Sequence, residues 1–200
     1  IVAHADGKQA IPLETIRQLG EAHNIAIVDF SGTGEAASEH SKNYDKLARL
    51  HTYGRASLWL GETVIGNWTE ELAVVADWIR ARDRNAKVSF HGFKEVGLAG
   101  VFYAALNGKL NRVHTYHTPA SYVFDTRQEV EYFGVGVHIP GILTWGDLSL
   151  AAGLSDAELF FHEPVTMSGR LLDSNEKAEL QKEYDQVGLK TGRKGRSRFL

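Results

Sequence analysis

Residues 88–100 run Val88-Ser89-Phe90-His91-Gly92-Phe93-Lys94-Glu95-Val96-Gly97-Leu98-Ala99-Gly100, and a small-residue apolar stretch, GLAGVFYAAL, fills 97–106. A β-rich run that breaks sharply into a helix lifts one side chain above the sheet, beside the free backbone N–H groups of the helix start. Counted back from Gly97, the raised side chain is expected to be Glu95. The apolar helix, nearly without a polar face, is expected to press closely on the sheet.

The same rhythm extends in both directions. Ile1–His4, Ile25–Phe30, Ala86–His91, Arg112–His117 and Ala157–His162 are mostly apolar without clean alternation, as strands buried on two faces are. Helices are expected at Leu13–His23, around Tyr44–Leu60, at Thr69–Arg82 with Asn67 as N-cap, at Gly97–Leu106, and at Ser174–Val187 with Gly188 ending it. Strands alternating with helices predict an α/β fold, a three-layer α/β/α sandwich around a mostly parallel sheet. Residues 1–187 are read as one domain and 188–200 as a basic, flexible tail.

Composition narrows the function classes. The 200 residues are 43% hydrophobic and 24% charged and contain no cysteine, which excludes a disulfide scaffold, thiolate metal sites and a cysteine nucleophile. No apolar run reaches the length of a membrane span. Of the net charge of -3, Lys190, Arg193, Lys194, Arg196 and Arg198 contribute five positive charges, so residues 1–187 carry -8; an acidic body argues against nucleic acid as a partner. The chain opens on Ile1-Val2-Ala3 with neither Met nor a signal-peptide layout, and the true start is expected upstream.

Several groups of residues invite chemistry. Gly32-Thr33-Gly34-Glu35-Ala36-Ala37 after the second strand imitates a phosphate-binding G-x-G-x-x-A turn, so a nucleotide-binding module is one reading; a structural tight turn is the other, since the polar 38–45 segment offers no helix straight after the glycines. His114 and His117, three apart on a strand, point to opposite faces and cannot share an ion. No metal site and no cofactor is expected. His4, His91, His117 and His162 stand at strand ends, and Tyr116, Tyr122, Phe124, Tyr132, Phe133 and Trp145 crowd the excursion after the fourth strand, where loops at the carboxyl ends of strands shape a ligand crevice.

Taken in order, IVAHADGK (1–8), AIVDFSGTGE (26–35), NWTEELAVVADWI (67–79), the 88–106 unit, PGILTWGDLSLAAGL (140–154) and AELFFHEPVTMSGRLL (157–172) resemble the α/β-hydrolase superfamily, and within it acetyl xylan esterase-like and dienelactone hydrolase-like proteins. Asp29, Gly32, Gly34 and Glu35 match the family's D-x-R-G-x-G-E turn, with Ser31 in place of Arg; Pro140-Gly141-Ile142-Leu143 and Asp147-Leu148 match its P-G-x-L and D-L elements. The resemblance covers about residues 1–187.

The resemblance implies a Ser nucleophile after the central strand, an Asp after Ala157–His162 and a His after one further strand. Here Glu95 takes the nucleophile place, Thr166 stands where relatives often carry Asp with Glu163 and Asp173 as stand-ins, and no His follows His162. The leading expectation is therefore an esterase-like domain, related to carbohydrate esterases, with a degenerate Ser-His-Asp triad, serving as a binding or structural part of a larger hydrolase.

An active carboxylic-ester hydrolase with an unusual set, Glu95, Glu163 and His138 or His91, is the alternative. Lys94, His91, Tyr116, His117 and Trp145 are the expected binding residues, for a small molecule or an acylated carbohydrate. A further domain or a second copy is expected to complete the sheet, and by resemblance the compartment is secreted or periplasmic.

Overall fold

The computed structural model describes residues 1–38, 50–107, 110–124, 133–192 and 196–200. Its centre is a six-stranded, all-parallel sheet built from β1 (Val2–His4), β2 (Ile27–Val28), β3 (Ser89–Phe93), β4 (Arg112–Tyr116), β5 (Glu158–His162) and β6 (Ser197–Phe199), in the order β2-β1-β3-β4-β5-β6. The helices are α1 (Leu13–Gly20), α2 (His51–Trp59), α3 (Val64–Arg82), α4 (Val96–Asn107), α5 (Ile142–Trp145), α6 (Leu148–Gly153) and α7 (Ser174–Thr191). The architecture is the expected α/β sandwich.

Handedness distributes the helices. The β1-to-β2 step moves towards one edge and every later step towards the other, so right-handed crossovers put α1 on one face and the remaining helices on the opposite one. On the many-helix face, Ala3, Phe90, Val113, Leu159 and Phe161 share one core with Leu72, Ala76, Leu98 and Leu148. On the other face a smaller cluster, Val2, Ile11 and Phe93, packs with Ile16 and Leu19 of α1 and with Tyr116.

Several boundaries depart from the sequence reading. The helix ending at Arg82 begins at Val64, where the Thr63 hydroxyl accepts from Gly66 N at 3.0 Å; Asn67 instead donates to the Tyr53 hydroxyl at 3.0 Å. Gly188 does not end the last helix, which continues to Thr191, and Asp173 opens it with a full capping box. Beyond it the expected flexible tail supplies a sixth strand, because Ser197–Phe199 pairs in parallel with Leu159–Phe161 and Phe199 stacks on Phe161 at 4.8 Å. Tyr44, Tyr132, Arg193 and Lys194 lie outside the described residues.

Candidate active site

The carboxyl ends of β3, β4 and β5 share a local feature. The residue after each strand, Lys94, His117 and Glu163, has positive φ (57°, 50° and 46°), a left-handed conformation that L side chains adopt sparingly. Lys94 N donates to Tyr116 O at 2.8 Å and His117 N to His162 O at 3.1 Å, so the first two of these left-handed steps extend the ladder one bond past the strand. Strained non-glycine residues held by surrounding structure concentrate at functional sites.

The first of these steps is the turn the sequence singled out, and its top is Lys94, which corrects the placement of Glu95 by one residue. Glu95 is fully buried at the start of α4. The sharp turn needs close approach on both sides: a Cβ on Gly92 would stand 2.7 Å from Gly97 Cα, and one on Gly97 would stand 2.1 Å from the Thr118 hydroxyl. That hydroxyl donates to Lys94 O at 2.8 Å, tying the turn to the segment after β4. With Lys94 on top, Gly92 occupies the first glycine position of a G-x-nucleophile turn. The sequence carried that signal in the Gly92-x-Lys94 spacing, but counting from Gly97 concealed it.

Lys94 Nζ lies 2.7 Å from Asp6 Oδ2, both side chains about one-third exposed. Asp6 belongs to the loop after β1, whose Asp6 N donates to His4 Nδ1 at 2.9 Å. Asp6 was not singled out by sequence reasoning, because only the adjacency of β1 and β3 brings residues 88 positions apart together. An ammonium paired to a carboxylate offers N–H donors and positive charge, not the hydroxyl or thiol that acyl transfer uses.

His117 Nε2 and Glu163 Oε2 form a second pair, 3.1 Å apart and largely exposed. Among the described residues no hydrogen bond or ion pair joins it to Lys94. Thr166 makes a local turn: its hydroxyl lies 2.9 Å from Ser168 Oγ and its N–H donates to Arg170 O at 2.8 Å. Asp173 is spent on the α7 cap, accepting from Asn175 N and Glu176 N at 2.8 and 2.9 Å.

The remaining expected residues scatter. His91 and Tyr116 lie on the α1 face of the sheet, where His91 Nδ1 and the Tyr116 hydroxyl are 3.2 Å apart. Burial, with His114 next, lowers His91 to about 3, and burial raises Tyr116 to about 12. His138 stands between a short 3-10 turn (Gly134–Val137) and α5, lining a cleft with Tyr122. Trp145 is more than half exposed at the end of α5. Neither makes a hydrogen bond or ion pair with Lys94 or Glu163 among the described residues.

The Gly32–Ala37 turn is structural. Asp29 accepts from Lys8 N at 2.5 Å and from Glu35 N at 3.0 Å, and a Cβ on Gly34 would collide with the Asp29 carboxylate at 2.3 Å. Within the turn the Glu35 amide already holds this anion of the chain itself, and the Gly32, Thr33 and Ala37 amides donate to backbone carbonyls. Among the described residues only a three-residue 3-10 helix, Gly34–Ala36, follows, so the nucleotide reading loses its helix N-terminus as well.

No family model and no curated protein matches the chain. Solved structures do. Dipeptidyl peptidase 4 of Porphyromonas gingivalis matches 99% of the chain over 27% of its own length, at 13% identity and a TM-score of 0.59. DcsB, in complex with its substrate analogue, matches the whole chain over 79% of its length at 13% identity and 0.55. A cold-adapted esterase from an Arctic intertidal metagenomic library, in a PEG-bound complex, matches the whole chain over 70% of its length at 14% identity and 0.50. The chain thus spans about a quarter of the peptidase. Together with the all-parallel sheet and the sharp turn after β3, these likenesses show that the chain has the α/β-hydrolase type of fold.

Proposed function

We propose that this chain is an esterase-like α/β-hydrolase domain, related to carbohydrate esterases, in which the triad is degenerate and the crevice binds rather than cleaves. The carrying observation is Lys94 at φ 57° on top of the turn after β3, paired with Asp6 at 2.7 Å, in the place where this fold presents a nucleophile. A Lys–Asp pair at the carboxyl ends of β1 and β3 donates and accepts hydrogen bonds, which suits the hydroxyl and acyl oxygens of an acylated sugar. A binding or structural part in a larger hydrolase fits this role.

The expected behaviour is absence of turnover with 4-nitrophenyl acetate above buffer, no labelling by a fluorophosphonate probe, and a thermal shift with acetylated xylo-oligosaccharides that is lost in Lys94→Ala. Ester turnover by the unaltered chain that disappears in Lys94→Ala would overturn the reading, as would a thermal shift indifferent to that substitution.

A further inference from the structure

Parallel strands are ordinarily buried on both faces. Among the described residues the helix on the second face is α1, which packs by Ile16 and Leu19 on Val2 and Phe93, while His114, Tyr116, Phe160 and His162 of β4 and β5 stay half-buried. β6 continues this part-covered half. Arg198 registers opposite Phe160 with its guanidinium carbon 5.7 Å from the ring centroid, and strand alternation puts the exposed Arg196 and Leu200 on the same face.

We infer that the β4-to-β6 half of this face docks one amphipathic helix of a partner chain, with an aliphatic stripe and a carboxylate-bearing flank. Ring orientation is the first reason. His91 stacks on His114, His114 on Phe160 and Tyr116 on His162, with centroids 4.4, 4.6 and 4.5 Å apart and planes inclined by 0°, 8° and 12°. The ring faces therefore meet one another and the edges point away from the sheet, which leaves no flat platform for a base or a sugar ring. Aliphatic side chains seat between such ridges.

Width and charge are the others. Three strands span two spacings of about 4.8 Å each, close to the roughly 10 Å diameter of one helix, and a helix laid there sits at the usual distance of about 8–10 Å from α1. Arg112 is neutralised by Glu158 at 3.0 Å, whereas among the described residues Arg196 and Arg198 form no ion pair. A helix whose stripe covers Phe160 and His162 brings its flank over these two guanidiniums, where carboxylates complement them. None of these residues belongs to the Lys94–Asp6 pair, so the fate of this face is separate from the hydrolase reading above.

A peptide of about 14 residues, with Leu and Ala along one helical face and Glu beside them, tests this by titration calorimetry, circular dichroism and amide chemical-shift mapping. It should gain helicity on binding the unaltered chain, with shifts centred on β4, β5 and β6. Arg198→Glu, at an exposed position, should weaken it about fivefold, and a peptide carrying Lys in place of Glu should prefer that variant over the unaltered chain by about as much. Phe160→Lys should abolish binding of both peptides.

Failure of the Glu peptide to bind, shifts centred elsewhere, equal affinity for Arg198→Glu, or self-association of the unaltered chain through these strands would each overturn the assignment, as would a single-stranded oligonucleotide that binds them. The shift map and the Arg198→Glu exchange decide the matter even if Phe160→Lys does not fold.

Discussion

The two faces of the sheet solve the same burial problem with different chemistry. Towards α3, α4, α6 and α7 the strands present Ala3, Phe90, Val113, Leu159 and Phe161, all at 2% exposure or less. Towards α1 they present two rows of rings set by the register. One row joins His91, His114 and Phe160 with centroids 4.4 and 4.6 Å apart; the other joins His4, Phe93, Tyr116 and His162 at 5.5, 4.4 and 4.5 Å.

Parallel strands ordinarily have helices on both faces. Among the described residues one helix meets the β1 and β3 part of its face, and His114, Tyr116, Phe160 and His162 are left half-buried. Rings that stack across strands keep apolar contact with one another while their nitrogens remain able to meet water or a neighbour. His114 Nδ1 and His162 Nε2 do meet, at 3.0 Å. The dry face gains its stability from volume filled, the ring face from stacking among groups that must stay neutral.

The largest effect should come from emptying the dry face. Phe161→Ala removes a ring stacked on Phe199 and set edge-on to Tyr184 at 5.5 Å, and should lower stability by about 3–5 kcal/mol, read from the urea midpoint. A loss below about 1 kcal/mol would mean that the two faces are equally yielding.

Acid should distinguish the faces next. Burial lowers His91 to about 3 and His114 to about 4, and it lowers His162 as well. An unfolded histidine titrates near 6.5, so below that pH the unfolded chain takes up protons that the folded chain refuses. The contribution of these rings to stability is therefore full above about pH 6.5 and falls as pH drops towards 4.

His114→Phe keeps the stack and removes one of these groups. It should reduce the stability lost between pH 7 and pH 4.5 by about 1 kcal/mol, after allowance for screening at a half-exposed ring. Identical acid slopes for the variant and the unaltered chain would show that the ring face does not govern acid sensitivity.

The smallest effect belongs to the rim. Glu163 holds φ 46° and an exposed pair with His117. Such pairs contribute about 0–1 kcal/mol, whereas left-handed backbone at a non-glycine residue costs about 1 kcal/mol or more. Glu163→Gly should leave stability unchanged or raise it by up to about 1 kcal/mol in the urea midpoint. A clear drop would mean that the His117–Glu163 contact outweighs the backbone strain, and that the rim is better supported than the ring face beneath it.

The fold was largely legible. Five of the six strands and the parallel character of the sheet follow from apolar runs of strand length alternating with amphipathic helices, because burial on two faces leaves a period that survives in one dimension. Ser197–Phe199 was not legible. Among Lys190, Arg196 and Arg198 its apolar content is too small to signal a strand, and only the open edge of β5, with Phe199 packing on Phe161, recruits it.

The site was legible in kind but not in residue. The strand-to-helix break was evident, yet a shift of one position separates Lys94, on the outside, from Glu95, fully buried. Helix and strand patterns locate boundaries only to within a few residues.

The sequence by itself determined the layering, the parallel sheet, the sharp turn after β3 and the helix that follows, since these rest on local propensity and hydrophobic period. Tertiary structure alone decided that Lys94 meets Asp6, that His117 meets Glu163, that Asp29 fills its own glycine turn, and that the Tyr122 hydroxyl is buried without a partner. Each depends on which distant strand ends become neighbours and on a rotation of one residue, and no pattern along the chain encodes either quantity.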